Sequence, residues 1–251
     1  MRLRGSIYSQ VLGMNTGISI VGPKEFNKDG KYKVVYLLHG LSDNSSNWID
    51  YSMVSVYANQ YDAFIIMPEV QRSFYIDMEY GPKYFTYITE ELPRICENVF
   101  NISSKREDTA VMGCSMGGYG SLRCALLKPE QYGFCGVFST AFLYLKKFLN
   151  GDAKREILEE NDWYSIFGNN LEWKPEYEIT ELINRIENNN EKPIIYSTCG
   201  KSDFLYEYNI KFKEAMKEKD FDFTYEEWDG GHDWDFFNES LRRSLSRFLS
   251  H

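Results

Sequence analysis

The sequence predicts an α/β fold, with a mostly parallel central sheet flanked by helices. Three observations point there. Short, nearly continuous apolar runs recur along the chain, as expected of strands buried on both faces. Segments of helical period separate them. Within the stretch TAVMGCSMGGYGSLRCALL (109–127), a serine stands between two glycines, where one apolar run gives way to a helix-like one.

The elements follow in order. Residues 5–12 and 15–22, around Gly13-Met14-Asn15, read as an N-terminal β-hairpin. KVVYLL (33–38) is an apolar strand closed by the turn signal His39-Gly40, and AFIIMP (63–68) is a second, ended by Pro68. TAVMG (109–113), GFCGVFS (133–139), PIIYSTCG (193–200) and FDFTYEEW (221–228) continue the series. Helical patterns alternate with these strands. WIDYSMVSVYANQY precedes the AFIIMP strand, and YFTYITEELPRICENVF follows it. Pro93 in the latter predicts a kink or a new first turn. GGYGSLRCALLKP, EYNIKFKEAMKEK and DFFNESLRRSLSRFLS supply the remaining helices. Right-handed crossovers then gather the strand C-terminal ends along one edge, where sites are built. Residues 140–192, rich in aromatics, Asn and Glu, break the rhythm. A helical cap-like insertion is expected there. No repeat or low-complexity linker divides the chain, so a single domain over 1–251 is the expectation.

Composition narrows the function. Of 251 residues, 43% are hydrophobic, enough for a substantial core. Lys and Arg number 28 against 37 Asp and Glu, a net charge of −9. That balance argues against a nucleic-acid partner, whose footprint is clustered positive charge. No apolar run suits a signal peptide or a bilayer span. A cytoplasmic protein with no membrane partner is expected. The five cysteines, an odd number without a CxxC pair, read as buried free thiols. The histidines are His39, His232 and His251 alone, so no metal cluster is expected.

Gly113-Cys114-Ser115-Met116-Gly117 matches G-x-S-x-G. Chance supplies that pattern in roughly one chain of this length in ten, but its place between strand and helix is what a nucleophile elbow requires. Glycines on either side let strand and helix approach, and the helix N-terminus turns positive charge density toward the serine. A serine also needs a base, and the base an orienting acid. His251 is the terminal residue, and His39 belongs to an early turn that precedes the serine. His232, in WDGGHDW after the last strand, is therefore the expected base. The acid should follow a strand between Ser115 and His232. Asp203, in the loop after PIIYSTCG, is the expected acid, with Asp229 its rival. An oxyanion would be received by the backbone N–H of Met116 and by that of Leu41, after Gly40. Cys114, beside the serine, reads as a packing residue.

YLLHGLSDNSSNW, RSFYIDMEYGPKYFTYITEELP, GCSMGGYGSL, GKSDFLY and GGHDW, in that order, resemble the esterase D/tributyrin esterase group of α/β-hydrolases. That group is related to the acetyl-xylan and feruloyl esterases of carbohydrate esterase family 1. The resemblance covers most of residues 5–250 and weakens over 140–192. It implies an α/β-hydrolase fold and hydrolysis of short acyl esters through an acyl-enzyme, without metal or organic cofactor. Ser115 would be the nucleophile, Asp203 the acid, His232 the base, and Leu41 and Met116 the oxyanion donors. The substrate implied is a small ester, an acylated plant sugar among the candidates. The broad group also includes S-formylglutathione hydrolases, which act on a thioester. Trp48, Tyr75, Asp77 and Tyr80 fall in loops expected near the mouth, where aromatic faces suit an alcohol or sugar. Phe142, Tyr144 and Trp163 are candidates for lining an acyl pocket from the cap. A homo-oligomer is compatible with the sequence, which does not fix the assembly.

Overall fold

The computed structural model describes residues 1–26 and 30–249. The terminal His251 lies outside the described residues. β1 (Arg2–Ser9) and β2 (Met14–Val21) form the N-terminal hairpin, antiparallel with Ser9 opposite Met14. Its turn falls slightly earlier than the sequence suggests. Gly13 adopts a φ of 69° and its N–H bonds Ser9 O at 2.9 Å, so the first strand ends at Ser9 and Met14 already belongs to the second.

The six apolar runs become β3 (Val34–Leu38), β4 (Phe64–Pro68), β5 (Thr109–Cys114), β6 (Phe134–Phe138), β7 (Ile194–Gly200) and β8 (Phe223–Trp228). Together they make one eight-stranded sheet, in the order β1-β2-β4-β3-β5-β6-β7-β8. The β1–β2 and β2–β4 pairs are antiparallel and all others parallel. Both faces of the central strands are covered. Val34, Tyr36 and Leu38 of β3 face one core, and Val35 and Leu37 face the other. This is why those strands read as unbroken apolar runs rather than alternating ones.

The helices divide between the faces. The segment before β4 breaks into α1 (Asn47–Tyr51) and α2 (Val54–Gln60). Ser52 causes the break: it is extended, and its hydroxyl bonds Trp48 O and accepts from Val54 N–H. α3 (Tyr84–Thr86) passes through a π-helical turn, Tyr87–Glu91, into α4 (Leu92–Val99). Pro93 sits in the first turn of α4, where its missing N–H is cheapest. α5 (Met116–Leu127) follows the serine. The 140–192 insertion carries three short helices, α6 (Leu145–Leu149), α7 (Glu160–Phe167) and α8 (Ile179–Ile186). α9 (Tyr206–Met216) and α10 (Trp234–Leu249) complete the chain. All five cysteines are free and buried. Among the described residues no helix is long and apolar enough to cross a membrane.

Register sets the site. Leu38 lies opposite Gly113, Cys114 opposite Phe138, Phe138 opposite Thr198, and Gly200 opposite Trp228. The strands therefore end together, and the loops after β3, β5, β7 and β8 leave one edge of the sheet.

Candidate active site

Ser115 occupies the step from β5 to α5 with φ 53° and ψ −115°, a strained conformation for a residue with a side chain. Its backbone is held from several sides. Its N–H donates to Phe138 O at 2.8 Å, and its carbonyl accepts from Tyr119 N–H and Ala141 N–H. The flanking glycines are required by contact. A Cβ on Gly113 would lie 2.5 Å from Gly117 O, and one on Gly117 would collide with Leu38 O.

His232 pairs with Asp203, and His232 and Ser115 line one cavity. The His232 Nδ1–H donates to Asp203 Oδ2 at 2.8 Å, which leaves Nε2 as the basic nitrogen. The other Asp203 oxygen accepts from Leu205 N–H at 2.8 Å. Burial by itself would raise the Asp203 pKa. The hydrogen bond and charge of His232 outweigh it and hold the carboxyl below its ordinary value. The imidazole lies between two rings, with centroid separations of 4.6 Å to Phe204 and 5.1 Å to Phe237. The rival Asp229 is exposed and stands 3.9 Å from Lys201. His39 takes no part in this pairing. It is buried, its Nδ1–H donates to Gly40 O at 2.7 Å, and its Nε2 accepts from Val70 N–H at 3.2 Å.

A cavity of about 520 Å³ opens over this edge. Ser115, His232, Gly40 and Leu41 line it, with Phe74, Ile157, Phe204 and Phe237 as apolar walls. Asp43, Arg72, Glu156 and Asp233 supply charge. Met116 is the first residue of α5, so its N–H has no partner within the helix. The insertion reaches the cavity through Glu156 and Ile157. Burial pushes the Cys114 thiol well above its ordinary pKa, which suppresses the thiolate. Among the described residues no group of three or more His, Cys, Asp or Glu side chains is gathered as a metal ion would need.

The residues expected to touch substrate are placed otherwise. Trp48 is 0% exposed, and its Nε1–H donates to Leu38 O at 3.1 Å. It packs edge-on against Trp234 and Phe138, where burying the indole is worth more than a wet loop position. Tyr75 is also 0% exposed, and its hydroxyl donates to His39 O at 2.9 Å. Asp77 accepts from the N–H and hydroxyl of Thr86, at 2.9 and 2.6 Å, and so closes its own loop. Tyr80 is 59% exposed but does not line the cavity; its N–H bonds Ser165 O. Phe142 stacks on Phe74 at 4.2 Å and packs with Phe148 and Trp163, one layer behind the cavity wall. Tyr144 sits against Tyr208. Aromatic rings clustered in an insertion bury more area against one another than along an open cleft. Sequence reasoning missed Phe204, Asp43, Arg72 and Phe237. Phe204 had a signal, standing next to the expected acid in a loop. Asn209 gave none, yet it is buried and bonds both backbone groups of Thr140, fixing the loop after β6.

Comparison with known proteins decides the family. The family model described as "Putative esterase" matches residues 9–248. The chain belongs to this esterase family. It is an enzyme, a serine hydrolase that acts on esters. An acetyl esterase of Caldicellulosiruptor saccharolyticus is 31% identical over 252 residues, covering 96% of this chain and 95% of that one. Among solved structures, the substrate-bound fluorophosphonate-binding serine hydrolase F of Staphylococcus aureus superposes with a TM-score of 0.89. It is 26% identical, with 99% of this chain and 98% of that one covered. The S-formylglutathione hydrolase of the same organism, as apoenzyme, gives a TM-score of 0.87 at 27% identity, again over 99% and 98%. The chain thus has the α/β-hydrolase architecture of these esterases.

Proposed function

We propose that the chain is a serine carboxylesterase, one α/β-hydrolase domain that cleaves short acyl esters through an acyl-enzyme. One observation carries the reading: a serine on a strained elbow shares a cavity with an imidazole anchored at 2.8 Å to a buried carboxylate. In this mechanism His232 Nε2 takes the Ser115 proton as Oγ attacks the acyl carbonyl. Asp203 orients the imidazole and stabilises its charged form. The N–H groups of Leu41 and Met116 receive the developing oxyanion. His232 then protonates the leaving alcohol as the acyl–oxygen bond breaks. Water, deprotonated by the same imidazole, releases the acid and restores the serine.

The preferred substrates are acetyl or hydroxycinnamoyl esters of plant carbohydrates. The acetyl esterase relative supports the acetyl group. The exposed Phe204 ring at the lip suits a sugar or aromatic face. The Staphylococcus aureus S-formylglutathione hydrolase favours a second reading, thioester hydrolysis. The charge of the cavity argues against it. Asp43, Glu156 and Asp233 line it, and its one arginine, Arg72, is engaged by Asp162 at 2.8 Å. Such a mouth disfavours the carboxylates of glutathione.

Turnover of p-nitrophenyl acetate by wild type and by Ser115→Ala tests the chemistry. Loss in the variant is expected. Equal rates would sink the triad, and the absence of turnover in both would favour a hydrolase-fold protein that only binds. Rates on an acetylated or feruloylated sugar, set beside those on S-formylglutathione, separate the two substrate classes.

A further inference from the structure

Three consecutive carbonyls lead into the proposed oxyanion peptide, and each is held by a side chain. Trp48 Nε1–H donates to Leu38 O at 3.1 Å, Tyr75 hydroxyl to His39 O at 2.9 Å, and His39 Nδ1–H to Gly40 O at 2.7 Å. All three side chains are buried. None of them lines the cavity.

The Tyr75 segment is itself costly to hold. Phe74 and Tyr75 have φ values of 52° and 56°, in the left-handed region that bulky residues avoid. Such strain persists only where the surroundings enforce it. Here Arg123, buried on α5, donates from Nη1 to Tyr75 O at 2.9 Å, and Tyr75 N–H bonds Ser73 Oγ at 3.1 Å. The result keeps the ring in the core and brings its hydroxyl to a backbone carbonyl rather than into the cleft. His39 is fixed in the same way. Its Nε2 meets Val70 N–H at 3.2 Å and Glu69 Oε1 at 3.5 Å, and because a carbonyl can only accept, the Nδ1 beside Gly40 O carries a proton turned on that oxygen.

The consequence follows from peptide geometry. In a trans peptide the carbonyl of one residue and the N–H of the next point in opposite directions, and no cis bond occurs here. Holding Gly40 O therefore fixes the Leu41 N–H on the other side of the same plane. Holding His39 O and Leu38 O removes the remaining freedom of the two preceding planes. We infer that Tyr75 and His39, supported by Trp48, are positioning residues that preorganise the Leu41 N–H for the oxyanion, acting through the backbone and never touching substrate. This rests on the esterase reading above.

The test uses Tyr75→Phe, which removes one hydroxyl and keeps the ring, and the pair His39→Leu and His39→Asn. An asparagine amide can stand in for the Nδ1–H; leucine cannot. Each variant is assayed for kcat and KM on p-nitrophenyl acetate, for pH profile, for melting, and for affinity toward a trifluoromethyl ketone. That ketone adds to the serine and places an oxyanion in the hole. Losing a whole oxyanion donor costs roughly 100- to 1,000-fold in kcat. A misaimed donor should cost less, about 10- to 100-fold, with KM changed by less than about two-fold. Ketone affinity should fall in parallel with kcat, while the pH profile stays put because His232 and Asp203 are intact. His39→Asn should recover most of what His39→Leu loses. Should Tyr75→Phe fail to fold, Trp48→Phe carries the same expectations. Wild-type kcat and ketone affinity in Tyr75→Phe would overturn the inference, and so would a loss that moves the pH profile instead. Failure of the esterase reading looks different: there wild type and Ser115→Ala behave alike, both turning over p-nitrophenyl acetate or neither doing so.

Discussion

His232 Nδ1 lies 2.8 Å from Asp203 Oδ2, although 29 positions separate the two residues in sequence. Backbone brings them together. Lys201 N–H bonds Trp228 O and Ser202 N–H bonds Gly230 O, both at 3.0 Å, so the loop after β7 is zipped to the loop after β8. Gly200 is part of that closure, since a Cβ there would collide with Gly230 O. The pairing is thus built from the sheet outward.

Replacing Asp203 by Asn should expose this pairing through pH. The folded-state pKa of Asp203 is depressed by His232 below its ordinary value. Its stabilisation is therefore fully present above the unfolded pKa of roughly 3.9 and is lost as pH falls through the lower folded value. Asp203→Asn should melt below wild type at neutral pH, and the gap should close in acid. Melting temperatures across a pH series check this. Loss of the orienting carboxylate should also lower kcat on the order of 10⁴-fold.

Ser115 is held at positive φ, where glycine is at ease. Ser115→Gly and Ser115→Ala should both lack turnover, yet differ in stability. Relief of strain outweighs the added chain entropy, so the glycine variant should be the more stable by about 1 kcal/mol. Denaturant unfolding of the two inactive variants measures the difference.

A methyl group at position 117 has nowhere to go, because the obstacle is the backbone carbonyl of Leu38. Gly117→Ala should destabilise by about 1–3 kcal/mol, the usual range for overpacking. It should also lower kcat, since β3 leads to Leu41 and α5 begins at Met116, the two proposed oxyanion donors. A melting curve together with steady-state kinetics tests both parts.

Phe204 is 66% exposed and packs on one face of the His232 imidazole. Phe204→Ala should change stability by no more than about 0.5 kcal/mol, as at most surface positions. KM for esters with large alcohol groups should rise, while small methyl or ethyl esters are barely affected. A leaving-group series at fixed acyl chain reads the split.

The strands and the elbow were legible because local pattern and global fold agree there. Val34–Leu38 and Thr109–Cys114 are apolar on both faces, and they form central parallel strands for that reason. Ser115, Asp203 and His232 stood out because each follows a strand, and the common edge of a parallel sheet joins loops distant in sequence. The walls of the cleft were less readable. Trp48, Tyr75 and Phe142 share composition with substrate-facing aromatics, but whether such a ring faces water or core depends on tertiary neighbours. Trp234 covers Trp48, and Phe74 covers Phe142. The hydrogen bonds to Leu38, His39 and Gly40 carbonyls leave no trace in hydrophobic pattern, since they join side chains to backbone across the fold.

The five enclosed thiols give the folded enzyme a chemical silence. Burial pushes Cys96, Cys124 and Cys199 up to about 12, and raises Cys114 and Cys135 well above their usual value. Alkylating reagents should therefore leave the native protein unmarked and modify it only as it opens. Inactivation by a reagent that attacks both sulfur and oxygen can then be credited to the hydroxyl, and the slow appearance of alkylated cysteine becomes a clock for global opening.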